Sequence, residues 1–515
     1  MASALHVSDL VLDGKSLTLD GLEAVALRGQ SIAIGPDARS RVAAARRVVD
    51  DAVTAGRVVY GVTTGFGSFA DVHIPVDRLR DLQLNLIRSH AAGVGDPLGE
   101  SETRGLMVLR ANVLAKGYSG VRPTTLDLLV EMLNRRIHPV VPSQGSVGAS
   151  GDLAPLAHLA LGLVGEGDVV AQGRRTSAAE ALSEAGLRPV VLEAKEGLAL
   201  INGTQLMTAV GGLALAEALR LARAADVAGA LTLDVLKGTD VAFDERIHAA
   251  RPHPGQWASA RNLRALLADS GVHESHRGCG KVQDAYSLRC IPQVHGAVRD
   301  ALAYAGRTIA IELNAATDNP MVFAESAEML SGGNFHGEPV AMAADMLAIA
   351  VAELGAISER RIERLVNPTL SDLPAFLARE GGLQSGLMLA HVTAAALASE
   401  NKGLAHPACV DSIPTSASKE DHVSMGVTAA HKAARAVANT RRILAVELLA
   451  AAQGLEFLRP LRSSAPLEAV HTLVRTQAAP WDEDRSPAPD IERLAVLLRS
   501  GAMADAAAAV CGGLG

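Results

Sequence analysis

Three long stretches in the later part of this chain repeat apolar residues at helical spacing. Val294, Val298, Leu302, Ile309 and Leu313 form the first, which stops toward Asn319-Pro320. Leu347, Val351, Leu354, Ile362 and Leu365 form the second, ending at Asn367-Pro368, and a third runs from about Val423 to Gly454. Steps of three, four, seven and eight place such side chains on one face of a helix. Proline ends these runs because it pushes the preceding residue out of the α region. Helices this long bury their stripes best against one another, so a mainly α protein with a long central helical bundle is expected. The composition agrees: Ala, Leu and Val lead a 49% apolar fraction, and aromatics make up only 3%.

At 515 residues the chain exceeds what one compact core usually holds. The first forty residues read as short strands, with Asp13-Gly14 and Asp20-Gly21 as turn dipeptides. A second hairpin is expected around Val169-Val170 and Gly173, and residues 74–138 are mainly helical in pattern. The character changes after Asn202-Gly203. The expected division is an N-terminal domain of short strands and helices over residues 1–204, then a helical bundle over 205–515. Past the turn-rich patch from Ala479 to Pro489 one more short helix is expected. The most apolar long stretch, 205–236, carries Glu217, Arg220, Arg223 and Asp226, which suit a buried amphipathic helix better than a membrane span. A formal charge of −8 without a basic run argues against nucleic acid or anionic membrane as partners. The four cysteines, Cys279, Cys290, Cys409 and Cys511, are too scattered for a disulfide framework. The N-terminus lacks the pattern of a signal peptide, so a cytoplasmic location is expected.

One segment points to chemistry. Residues 141–158 crowd Gly145, Ser146, Gly148, Ala149, Ser150 and Gly151 ahead of an apolar helical run. The plain reading is a Gly/Ser turn feeding a helix capped by Asp152. A serine-hydrolase elbow fails because Asp152 stands where glycine is required. A phosphate loop fails for want of its Gly-Lys-Ser/Thr ending. The remaining reading is backbone cyclisation, in which the Gly151 nitrogen attacks the Ala149 carbonyl and water leaves the ring and Ser150. Small neighbours allow so tight a bend, and Gly151 offers no Cβ to obstruct it.

Gly148-Ala-Ser-Gly-Asp-Leu-Ala-Pro-Leu-Ala-His158 closely resembles the signature of the histidine/phenylalanine ammonia-lyase family. The resemblance extends through Tyr60-Gly-Val-Thr-Thr-Gly-Phe-Gly67, Ser89-His-Ala-Ala-Gly-Val-Gly95 and Asn202-Gly-Thr-Gln205. It continues through Val282-Gln-Asp-Ala-Tyr-Ser-Leu-Arg-Cys290, Gly333-Asn-Phe-His-Gly-Glu-Pro339, Ser412-Ile-Pro-Thr-Ser416 and Glu420-Asp-His-Val-Ser-Met425. These blocks span nearly the whole chain in the family's order. The resemblance implies an N-terminal part bearing a 4-methylidene-imidazol-5-one formed autocatalytically from Ala149, Ser150 and Gly151, with no external cofactor and no metal. It also implies a homotetramer with active sites shared between subunits.

By the same resemblance Tyr60 is the base that takes the β-proton, although a tyrosine in the strand-like run Arg57–Val62 would otherwise read as core. Gly65-Phe-Gly-Ser-Phe-Ala70 matches a dinucleotide fingerprint only weakly and lacks the βαβ context. Arg289 is the carboxylate holder, a task suited to a planar guanidinium. Asn202 and Gln283 bind the electrophile or substrate, Tyr286 supports the electrophile and the departing amine, and Phe335 lines the pocket. His90 and Glu420 are of the type expected for L-histidine, since a carboxylate can accept from an imidazole N–H. The expected reaction is therefore deamination of L-histidine to trans-urocanate and ammonia, the first step of histidine degradation. Rivals are a tyrosine ammonia-lyase or aromatic aminomutase on the same electrophile, and a non-enzymatic helical structural protein. Lys419 and Ala285 depart from the family's usual glutamine and proline. His273, His276, Cys279 and Cys290 match no common zinc spacing and read as a polar loop.

Overall fold

The computed structural model describes residues 9–515; the first eight, read above as lacking a leader, lie outside them. Long helices dominate: Gln205–Val235, Ile291–Glu312, Glu338–Val366, Met388–Leu404 and Gly426–Leu458. The stripe residues behave as their spacing requires, with Val298, Leu302, Val351, Leu354, Ile362 and Leu365 all 2% exposed or less. The second stripe ends at Val366, directly before Asn367-Pro368, whereas the first ends at Glu312, well ahead of Asn319-Pro320. By length and composition Glu338–Val366 is apolar enough to cross a membrane, but 67% of its most apolar window is buried in the fold, as in a core helix.

The chain divides into two compact units. The first comprises Met1–Leu213, Arg307–Asp345 and Pro407–His431. It holds every strand, all short: a parallel pair Leu10–Leu12 and Ile32–Ile34, and antiparallel sets that include the hairpin Asp168–Ala171 with Arg174–Ser177. That hairpin turns at Gln172 and Gly173, both left-handed at φ 52° and 75°, the geometry a tight two-residue turn demands. Asp20-Gly21 is not a hairpin turn. Thr18 caps a helix over Leu19–Ala26 by accepting from the Gly21 N–H, and Asp20 sits in its first turn, where the helix dipole favours an acid. The strand-like run at Val58–Val62 is a turn, closed by Val62 N and Thr63 N donating to Val59 O. Helices Leu79–His90, Glu100–Ala115 and Pro123–Asn134 fill the stretch expected to be helical.

The second unit comprises Ala214–Gly306, Met346–His406 and Lys432–Gly515. Its core is stitched by buried charge. Glu447 accepts from Arg361 through Nε at 2.5 Å and Nη2 at 2.9 Å, and also from Thr232 and Ser358. Asp226 accepts from Ser259, Asn262, His295 and Arg299 at 2.7–2.9 Å. Removing one partner from such a site would strand a buried charge. The tail holds two helices where one was expected, Ala488–Ser500 and Ala502–Cys511, parted by left-handed Gly501 at φ 88°.

Candidate active site

The first unit bears a half-open cavity of about 810 Å³ with Ala149 and Ser150 in its wall. The loop before them bends sharply. Gly148 and Gly151 are left-handed, at φ 73° and 78°. A Cβ on Gly148 would lie 2.2 Å from Ser424 Oγ, and one on Gly151 would lie 2.1 Å from the Gly203 carbonyl oxygen. Only glycine fits either position, on grounds of both conformation and space. Ala149 packs with Val423 and Met425. Gly151 runs beside Gly203: Gly203 N donates to Ser150 O at 3.3 Å, and Asp152 N donates to Gly203 O at 2.7 Å.

Asp152 does not cap the helix that follows it. Leu153, at φ 47°, occupies the cap position of Ala154–Leu163. The Asp152 carboxylate instead accepts from the Leu206 and Met207 N–H groups, the first turn of Gln205–Val235. Complete burial lifts its pKa to about 7, against the pull of those N–H groups and of Arg110.

Ser150 Oγ donates to Glu420 Oε1 at 3.1 Å, and Glu420 Oε2 accepts from Thr415 and Ser416 hydroxyls at 2.8 and 2.7 Å. Just ahead of Glu420, Ser416, Ala417 and Ser418 are all left-handed, at φ 51–61°. Three such residues in a row are strained, a feature that clusters at functional sites. His90 ends the helix Leu79–His90, with Nδ1 at 2.8 Å from Leu86 O. Burial lowers its pKa, against the Leu86 carbonyl and the Glu420 charge, so the ring enters neutral solution uncharged. Three residues past His90, Gly93 N donates to His158 Nε2 at 3.1 Å, tying the His90 loop to the end of the glycine-rich block.

Tyr60 lines the same cavity, half-buried, its hydroxyl accepting from Gly67 N at 3.3 Å and its ring edge-on to Phe66. Left-handed Gly61 makes this turn possible, since a Cβ there would lie 2.5 Å from Leu198. Asn202 also lines the cavity. Its Nδ2 donates to Asn319 O at 3.1 Å, while its buried Oδ1 has no partner among the described residues. Phe335 completes the wall.

The cavity thus gathers Tyr60, His90, Ala149, Ser150, Asn202, Phe335 and Glu420; Gly151, next in the chain, is not among its lining residues. Gln283, Tyr286 and Arg289 belong to the second unit and do not line it. There the Arg289 guanidinium lies 4.7 Å over the Tyr286 ring, and Tyr286 is 71% exposed. Sequence reasoning passed over Asn85, Asn319, His336 and His422, which also line the cavity; His336 and His422 stack at 5.8 Å. The family motif Asn-Phe-His held His336 in plain view, but nothing signalled the ring it would meet. Of the residues weighed as zinc ligands, His276 is bonded through both ring nitrogens to the Val272 and Gly238 carbonyls, while Cys279 and Cys290 are free thiols.

A tight glycine-flanked serine loop, a phenol and the carboxylates of Glu420 and Asp421 around one cavity suit a lyase site acting on an aromatic amino acid. The chain matches the aromatic amino acid lyase family over residues 17–476 and belongs to that family. It is 57% identical to a histidine ammonia-lyase of Koribacter versatilis over 517 residues, covering 98% of this chain and 99% of that one. Among solved structures it is similar to histidine ammonia-lyase from Trypanosoma cruzi, with a TM-score of 0.91 and 49% identity over 97% of this chain and 95% of the other. It is also similar to tyrosine aminomutase from Streptomyces globisporus, with a TM-score of 0.93 and 40% identity over 98% and 99% of the two chains.

Proposed function

We propose that this chain is a carbon–nitrogen lyase that deaminates L-histidine to trans-urocanate and ammonia, opening histidine degradation. The observation that carries the reading is Glu420, whose carboxylate faces the cavity 3.1 Å from Ser150 Oγ with His90 in the same wall. An apolar ring would leave that carboxylate facing hydrocarbon, whereas an imidazole N–H gives it a donor.

Ala149, Ser150 and Gly151 fit a self-made 4-methylidene-imidazol-5-one: the glycines tolerate no Cβ, and Ser150 carries a hydroxyl that can leave. When formed, this group supplies an electron sink for the substrate amine that no ordinary side chain offers. The chain's own residues do the rest. Tyr60 Oη accepts the β-proton. Asn202 Oδ1, buried without a partner among the described residues, accepts from the substrate amine. Phe335 packs on the ring, and Glu420 with His90 fixes its nitrogens. Gln283, Tyr286 and Arg289 are supplied by neighbouring copies in a homotetramer, where Arg289 holds the carboxylate bidentately and Tyr286 assists the leaving amine. Exposed apolar side chains on long helices, Ile311 at 72% and Val392 at 52%, support such an assembly. The cysteines are all unpaired, in keeping with a cytoplasmic enzyme.

The 40% identity to a tyrosine aminomutase keeps one rival in view. A near-ultraviolet assay with L-histidine, L-tyrosine and L-phenylalanine in separate cuvettes decides. Urocanate from histidine alone is expected; a cinnamate-type product from tyrosine would overturn the substrate, and β-amino acid product would make the chain an aminomutase.

A further inference from the structure

We propose that Arg110 is a positioning residue for the cyclisation of Ala149-Ser150-Gly151, its guanidinium fixing the Asn202–Gln205 turn as the support against which the tripeptide bends. This rests on the reading that the tripeptide cyclises.

Arg110 sits within the helix Glu100–Ala115 and is fully buried. Nη1 donates to Ala199 O at 3.0 Å and Asn202 O at 2.9 Å; Nη2 donates to Asn202 O at 3.0 Å and to Gln205 Oε1. Nε alone has no partner among the described residues. The carbonyls it binds close the helix Glu196–Ile201, at the end where partial negative charge gathers. The Gln205 amide is held from its other side by Thr317 Oγ1 at 2.8 Å. With 199, 202 and 205 pinned, the Gly203 peptide is left to face the tripeptide, its N–H on Ser150 O and its oxygen under Asp152 N.

No slack remains in this stack. A Cβ on Gly203 would lie 3.0 Å from Arg110 Nη2 and 2.5 Å from Gln205 Oε1, and a Cβ on Gly151 would lie 2.1 Å from the Gly203 oxygen. Gly151 N donates to no described group, and it is the atom that must attack. In the reaction the Gly151 nitrogen bonds to the Ala149 carbonyl carbon. That carbonyl oxygen leaves as water with the Gly151 and Ser150 amide protons, giving the ring C=N bond. The Ser150 Cα proton and its hydroxyl leave as a second water, giving the exocyclic double bond. No oxidant or co-reactant is needed. Burial lowers the Arg110 pKa to about 10, so the group stays a fixed cation at neutral pH and moves no proton itself.

The test is the mass of the tryptic peptide Ile137–Arg174 from purified full-length protein. Wild type should be two waters lighter than its sequence. Arg110→Met should cut the cyclised fraction about tenfold or more while helix content and oligomeric size stay those of wild type. Arg110→Lys, which keeps charge but loses the fork, should recover part of it. Wild-type cyclisation in folded Arg110→Met overturns the proposal. If that variant does not fold, Thr317→Val decides: cyclised peptide should appear several-fold more slowly after synthesis, and a wild-type rate overturns it. An unmodified peptide from wild type overturns the functional reading as well, and is separated from the other outcomes by that.

Discussion

Two aspartates of this protein are equally hidden from water and titrate in opposite directions. Asp226, in the second unit, is met by Arg299 and His295 with Asn262 and Ser259 beside them; burial alone would raise its pKa, but these partners hold it well below the usual range. Asp152, in the first unit, has two backbone N–H groups and a more distant guanidinium, and burial wins, raising it to about 7. Close cations and donors thus anchor a charge, whereas a helix terminus by itself leaves the group poised between two states. The same contrast marks their surroundings: around Glu447 every oxygen is matched, while around the tripeptide Asn202 Oδ1 and the Gly151 N–H stay unmatched. One region is built to hold, the other to react.

The strongest way to break the contrast is to strip each region of its key group. Ser150→Ala should take turnover to the detection limit and leave the far-ultraviolet helix signal intact, since a methyl cannot leave as water. Activity in that variant would remove the tripeptide from the chemistry. Glu447→Ala should do the reverse, costing roughly 3–5 kcal/mol by stranding Arg361. In urea titration a change below about 1 kcal/mol would mean that the pair is replaceable.

A smaller effect is expected at the carboxylate facing the cavity. Glu420→Gln should lower histidine kcat/KM by roughly a hundredfold through loss of a charged acceptor; unchanged kinetics would assign the imidazole to other groups. Asp152 sharpens the contrast through pH. Its proton is bound more tightly in the folded than in the unfolded chain, so its stabilisation is complete below the ordinary value of 3.8 and fades as pH rises to about 7. Asp152→Asn should flatten the melting temperature over that window. Asp226 has the opposite sign: its contribution is present above the ordinary range and fades as pH falls through it. A wild-type profile with no slope between 3.8 and 7 would contradict the Asp152 assignment. Smallest of all, Lys419→Gln should shift histidine KM by no more than about fivefold, because an exposed cation is screened.

The helical bundle could be read from stripes such as Leu347–Leu365 because burial on one face leaves a period in the sequence. The tripeptide and its companions could be read from ordered motif blocks. What could not be read is distance across the chain. Asp152 looked like a local cap, and its true partners stand at 206 and 207, too far along for any local pattern. Asp20-Gly21 matched a hairpin turn because Thr18, which makes it a helix start, sends only a weak signal. Arg110 is one of several polar residues in its helix, and nothing in its sequence neighbourhood names the carbonyls it binds.

The grip on the tripeptide comes from far downstream: Gly203 meets Ser150 and Asp152, and Ser424 Oγ donates to Gly148 O at 3.2 Å. A nascent chain lacks both contacts when its glycine-rich loop leaves the ribosome, and it gains the second only when most of its synthesis is done. Under the proposed function, a cyclisation that depends on them would therefore be a late event in the life of each molecule. On the proposed cyclisation, the two missing waters would be a permanent chemical stamp of having folded, one that survives denaturation and sorts molecules by their history.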